Sequence, residues 1–108
     1  MANTFTSYAA KNVGTTPVVL VTVAAATQTT VIGITVANTS AASITADVYV
    51  TRSAVNYYVI KGASIPVGRS FVPVGGDQKL VLTTGDALTV VTSAATSADV
   101  IASVLNIT

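Results

Sequence analysis

The stretch Ile44-Thr45-Ala46-Asp47-Val48-Tyr49-Val50-Thr51-Arg52 sorts its residues by parity: Ile44, Ala46, Val48 and Val50 point one way, and Thr45, Asp47, Tyr49 and Thr51 the other. Successive side chains of a strand leave on opposite faces, so this order describes a half-buried β-strand with one dry side and one wet side. A helix would scatter the same residues around its circumference. Ser53-Ala54 is short enough for a hairpin connection, and Val55 to Lys61 returns with Val55, Tyr57 and Val59 opposite Asn56, Tyr58 and Ile60. Of two adjacent tyrosines, at most one serves a given face. Tyr57 is expected in the core, and Tyr49 or Tyr58 at an exposed interface.

The same period continues on either side. Upstream, Thr30 to Asn38 puts Ile32, Ile34 and Val36 on one face, and Asn38-Thr39-Ser40-Ala41 reads as a turn. Val18 to Ala24 is a strand behind the breaker Gly14-Thr15-Thr16-Pro17, and residues 1–13 form either a first strand or an extended N-terminal arm. Downstream, Gly62 to Gly68 reads as an irregular crossing. Phe71-Val72-Pro73-Val74 is an edge strand, because Pro73 cannot donate to a central ladder. Gly75-Gly76-Asp77 and Thr84-Gly85-Asp86 are turns bracketing Lys79 to Thr83; Ala87 to Ser93 and Val100 to Ile107 complete the chain. These strands imply an all-β fold: a single β-sandwich or jelly-roll-like domain over residues 1–108, with seven to eight antiparallel strands.

Composition agrees. Of 108 residues, 19 are Val and 18 Thr, side chains stiff at χ1 and suited to a pleated surface. Charged residues make up 8%, against about 25% in ordinary globular domains. A net charge of +1 supplies no basic field for nucleic acid. So little charge beside 51% hydrophobic residues implies a surface covered by neighbouring subunits. Nothing from Asn12 to Ala46 is charged, yet the polar break Ala26-Thr27-Gln28-Thr29-Thr30 fits two strands better than one membrane-spanning helix. The start Met1 to Tyr8 has no basic segment leading into an apolar run, so no secretory signal is expected.

The last strand is apolar on both faces, with Val100, Ala102 and Val104 on one and Ile101, Leu105 and Ile107 on the other. Such a strand is covered twice, as a central strand or by another subunit.

The chemistry-bearing residues are few. There is no His, Cys or Glu, which removes the usual zinc ligands and the common general bases, and no cofactor or catalytic role is expected. Asp77 and Asp86 each follow a glycine in a turn, where a carboxylate accepts backbone N–H bonds. Gly75-Gly76-Asp77-Gln78-Lys79 lacks phosphate-loop spacing, and no Ser-x-x-Lys occurs. Arg52 and Arg69 are candidates for hydrogen bonds at an interface rim. Asn38-Thr39-Ser40 and Asn106-Ile107-Thr108 match the glycosylation sequon by chance.

Several runs go beyond composition: Val31-Ile32-Gly33-Ile34-Thr35-Val36-Ala37-Asn38, Ala46 to Arg52 with Tyr57-Tyr58, Ile65-Pro66-Val67-Gly68, Val74 to Lys79, Gly85-Asp86-Ala87-Leu88 and Asp99 to Leu105. Over Val31 to Thr108 the chain resembles small virion structural proteins of tailed bacteriophages, including cyanophages. The resemblance implies a β-sandwich subunit used many times per virion, assembled in the host cytoplasm. As a capsid cement or decoration protein it would contact the major capsid protein or other virion subunits as a small homo-oligomer such as a trimer; as a neck, tail or baseplate component it would bind a ring or fibre. A reading from another class, a carbohydrate-binding module, would use Tyr58 or Tyr49 and the turn aspartates, though only 6% of residues are aromatic. The interface candidates are Phe5, Tyr8, Tyr49, Arg52, Tyr58, Arg69, Ile101, Leu105 and Ile107, with the Phe5–Tyr8 arm reaching a neighbour.

Overall fold

In the computed structural model, which describes residues 2–74 and 79–108, the strands are β1 (Asn3–Val13), β2 (Val18–Thr22), β3 (Gln28–Asn38), β4 (Ile44–Arg52), β5 (Val55–Ile65), β6 (Ser70–Val74), β7 (Leu80–Leu82), β8 (Ala87–Thr92) and β9 (Ala98–Ile107). They form two antiparallel sheets. The first runs β1-β9-β3-β6, with β7 on the same edge of β3 as β6; the second runs β2-β8-β4-β5. The antiparallel pairs β1:β9, β2:β8, β3:β6 and β4:β5 are rolled so that consecutive strands change sheet except at the β4–β5 hairpin and between β6 and β7. That is jelly-roll order with one short added strand, β7. Among the described residues there is no helix, and so none long and apolar enough to cross a membrane.

The core lies between the sheets and is made mostly of Val. Val31, Ile34, Val36, Val100, Ala102 and Val104 from the first sheet meet Ala46, Val48, Val50, Leu88 and Val90 from the second. In β4 every inward residue is buried and every outward one partly or fully exposed, as its alternation requires. Burying each such Val contributes about 1.5–3 kcal/mol, which is how a chain poor in aromatics fills its core.

Three expectations need correction, and one open choice is settled. In β3 the register with β9 slips between Val31 and Gly33, so Val31 is buried and Ile32 only partly covered; the bulge reverses the parity of the strand's first half. β5 runs on to Ile65, through the region expected to be an irregular crossing, because the left-handed Gly62 (φ 68°) absorbs its bulge. Tyr57 is 57% exposed and not in the core: it faces inward by parity, but β5 is an edge strand and its inner face there borders an open cleft shared with β7. Of the two readings given for residues 1–13, the first strand is the one observed, and the reach of a Phe5–Tyr8 arm falls with the other. Residues 3–13 form β1, paired with β9 along its length, with Ala2 and Thr108 exchanging both backbone hydrogen bonds at 3.0 and 2.9 Å.

Buried polar groups tie the ends of the sandwich. At one end the Thr92 and Ser97 hydroxyls lie 2.7 Å apart and both reach the Val13 carbonyl. Gly14 sits so close here that a Cβ would lie 2.9 Å from the Ala95 Cα and the Thr96 nitrogen. Asn38 donates from Nδ2 to the Ala42 and Ile65 carbonyls and accepts from Ser40 through Oδ1, fixing the β3–β4 turn against the end of β5. The Asn38 amide is thus fully used inside the fold, and its sequon is not an accessible acceptor.

Candidate functional site

The outer face of the first sheet can be read row by row from its register. Phe5 on β1 stands beside Leu105 on β9, Thr30 on β3 and Val81 on β7. One step along, Ser7, Ser103 and Gly33 form a second row; Ala9, Ile101 and Thr35 form a third, with Val72 of β6 beyond. No charged side chain occurs in these rows. Phe5 is 75% exposed, and Ile101, Val72 and Val81 each a little over half. Leu105 and Ile107 are partly covered. Thus β9 is central in its sheet and buried on its Val100–Ala102–Val104 face, but the chain leaves its Ile101–Leu105 face open.

Three interface candidates, Phe5, Ile101 and Leu105, fall on this one face, and Ile107 lies at its end beside Asn3 and Gln28. Val72 and Val81 also belong to it and went unrecognised in the sequence, one beside Pro73 and the other inside the apolar triplet Leu80-Val81-Leu82. Tyr8 does not join them: even-numbered β1 residues face inward, and Tyr8 packs against the core. Arg69 is exposed in the β5–β6 connection, with its backbone N–H on Pro66 and its carbonyl accepting from Asn38.

The outer face of the second sheet is furnished differently. Tyr49 and Tyr58 are cross-strand partners with ring centroids 5.1 Å apart, and the Lys61 ammonium lies 4.4 Å from the Tyr58 centroid. Asp47 accepts from the Gly62 N–H at 2.7 Å and pairs with Lys61 at 3.8 Å.

Every described aspartate follows that pattern, one backbone N–H plus one basic side chain. Asp99 accepts from the Asn12 N–H at 3.1 Å, where left-handed Asn12 (φ 57°) forms the β1 bulge, and from Lys11 at 3.4 Å. These contacts, the backbone one foremost, hold the Asp99 carboxyl below the usual range. Asp86, 1% exposed, takes a forked pair of bonds from Arg52 Nε and Nη2, the shortest 2.6 Å, and one from the Thr83 N–H at 2.9 Å. The Arg52 hydrogen bond outweighs burial and holds the Asp86 carboxyl low. The turn role expected of Asp86 is therefore observed, whereas Arg52 is engaged within the chain instead of being free at a rim. Asp77 lies outside the described residues.

Beside this clasp, where β5 and β7 face each other at the open edge of the sandwich, is a cleft of about 420 Å³ lined by Arg52, Tyr57, Tyr58, Val59, Leu80 and Val81 among others. Among the described residues no three His, Cys, Asp or Glu side chains converge as metal ligands would.

Comparison of the chain with protein-family models, curated proteins and solved structures finds no match in any of the three. The phage resemblance therefore stands on the residues quoted for it alone.

Proposed function

We propose that the chain is a non-enzymatic structural subunit of a tailed-bacteriophage virion, most simply a capsid cement or decoration protein, which docks through the outer face of its first sheet. The observation that carries this reading is the set of charge-free rows on which Phe5, Ile101, Val72 and Val81 stand in water, with the Lys11–Asp99 ion pair only at their end and every described carboxylate satisfied inside the chain. Large exposed apolar side chains gathered on one face of a sheet mark a candidate interaction surface. A cement subunit works by mass action, binding the assembled shell better than its free components and so stabilising it.

The test is the stoichiometry of the chain in purified particles. A copy number comparable with that of the major capsid protein supports cement. A copy number matching a single ring moves the subunit to the neck, tail or baseplate. Its absence from particles ends the virion reading. A second reading, a carbohydrate-binding module, is favoured by one feature only: exposed Tyr57 and Tyr58 beside an Arg52 held rigid by Asp86 in an open cleft. Aromatic faces stack on sugars while such fixed donors orient their hydroxyls. Glycan-array binding abolished by Tyr57→Ala would establish it; no binding on the array would end it.

A further inference from the structure

A sandwich has strand edges, and this chain blunts them unequally. β6 is five residues long and contains Pro73; β7 has three residues; β2 has five, with a bulge between Val19 and Val21. β5 is long but carries Lys61, left-handed Gly62 and two shifts of register. Short strands, proline, lysine and bulges are the devices that keep sheet edges from pairing with other chains. β1 differs: from Asn3 to Ala10 it keeps unbroken register with β9 and contains no charge, proline or glycine. Its first bulge and first charge come only beyond Ala10, at Lys11 and Asn12.

The ladder shows which backbone groups face the open side. Ala2 and Thr108 are a hydrogen-bonded pair, so the even-numbered residues of β1 direct N–H and C=O toward β9. Asn3, Phe5, Ser7 and Ala9 direct theirs away, where among the described residues no strand pairs with β1. That leaves four donors and four acceptors in a regular row.

The geometry points to a second copy of this chain as the occupant, its β1 lying antiparallel to the first across a two-fold axis at Thr6. Only this register uses the whole row. Asn3 pairs with Ala9 of the second copy, Phe5 with Ser7, Ser7 with Phe5, and Ala9 with Asn3, which makes eight hydrogen bonds, close to the roughly ten of a typical interface. The paired segment is uncharged, so the symmetry sets no like charges opposite one another. The two Phe5 rings become diagonal neighbours about 7–8 Å apart on the outer face. The edge is about 26 Å long and roughly 20 Å deep, or some 500 Å² per copy, which puts the pair near the ~1,000 Å² lower bound for a specific interface. The association is therefore a reversible dimer that joins two bare outer faces into one. This inference deepens the assembly reading and rests on it for purpose, but its test uses the isolated chain.

The chain contains no cysteine, so a single introduced thiol reports one contact. Thr6→Cys places two thiols at the axis, in a non-hydrogen-bonded pair whose Cα separation of about 4.5 Å falls within disulfide range. It should oxidise to a covalent dimer on the order of a hundredfold faster than Val19→Cys, an exposed site on the other sheet, because pairing raises the local thiol concentration from micromolar toward millimolar. In parallel, light scattering of the unmodified chain should give twice the monomer mass at high concentration. Ser7→Pro should return it to the monomer mass, since that proline removes a donor aimed at the second copy and none aimed at β9. If Ser7→Pro fails to fold, the cross-linking comparison decides alone. Equal oxidation rates for Thr6→Cys and Val19→Cys, or a dimer that persists in folded Ser7→Pro, would overturn the proposal. Neither result bears on stoichiometry in particles, so failure of the pairing and failure of the virion reading are separate outcomes.

Discussion

On the outside of the second sheet, Tyr49 packs on Tyr58, Lys61 covers Tyr58, and Asp47 is held by Lys61 and the Gly62 N–H. On the outside of the first, the rows Phe5–Leu105–Thr30–Val81, Ser7–Ser103–Gly33 and Ala9–Ile101–Thr35 carry no charged or tyrosine side chain, and Phe5 is three-quarters exposed. Both faces belong to antiparallel sheets of similar width on the same core. One carries its charged and aromatic interactions across its middle, whereas the other confines them to the Lys11–Asp99 pair at one end and leaves its middle rows bare. Side chains that interact among themselves reduce what a partner can gain by covering them, so a docking surface is better sought on the bare face.

That contrast can be broken at its foundations first. The clasp between Arg52 and Asp86 joins the hairpin end of the second sheet to the β7–β8 turn, and its carboxylate is buried. Asp86→Ala removes the acceptor for Arg52 and for the Thr83 N–H, and should lower unfolding free energy by about 3 kcal/mol in urea titration. Asp47→Ala, at the solvent-screened pair on the furnished face, should cost under about 1 kcal/mol. Equal costs would mean that the two ion pairs are equally screened and that the clasp is ornamental. The acid limb follows from the same contacts. A carboxyl held low in the folded state contributes stability above its unfolded value, near 3.8, and loses it as pH falls through the still lower folded value. Stability should be flat from neutral pH to about pH 5 and decline below about pH 4, less steeply in Asp86→Ala.

Next in size is the effect on docking. Ile101→Lys puts a charge at the centre of the bare face, where wild-type Ile101 is already exposed. Its cost to folding should stay within about 0.5 kcal/mol. Binding to particles lacking the chain should weaken by about 2 kcal/mol, or roughly thirtyfold, in a co-sedimentation assay. Tyr58→Lys on the other face should leave binding unchanged. A reversal of the two results would move the docking surface to the furnished face.

How much of this was legible in the sequence depends on the range of the interactions involved. β4 was readable because its parity runs unbroken from Ile44 to Arg52 and a single face decides burial. The first half of β3 is not legible by parity because the bulge at Ile32 and Gly33 is imposed by pairing with β9, some 70 residues away in sequence. Tyr57 escapes for a related reason: alternation says which way a side chain points, not whether the strand opposite closes over it. Phe5, Ile101 and Leu105 were named as interface residues, but their convergence on one face follows from the β1:β9 pairing. Arg52 reads as a rim residue because nothing local signals a partner 34 residues away; the one hint is Asp86 in its Gly-Asp turn.

The smallest effect concerns a turn whose position was legible but whose strain was not. Ser53 and Ala54 close the β4–β5 hairpin with φ of 54° and 63°, and Arg52 pairs directly with Val55. Two central residues with positive φ make a type I′ turn, normally Asn-Gly, in which an alanine costs about 1–2 kcal/mol. The cost is borne by the cross-strand pairs the turn aligns, Thr51 with Asn56 at 2.7 Å and Tyr49 with Tyr58 at 5.1 Å, which belong to the furnished face. Ala54→Gly relieves the strain, while the added freedom of glycine in the unfolded chain cancels about 0.4–1 kcal/mol of the gain. The net stabilisation should be about 0.5 kcal/mol, seen as a rise of roughly 2–4 °C in the thermal midpoint. A midpoint that falls would show that the turn is not strained in solution, and that the pairs on the furnished face are aligned at no cost.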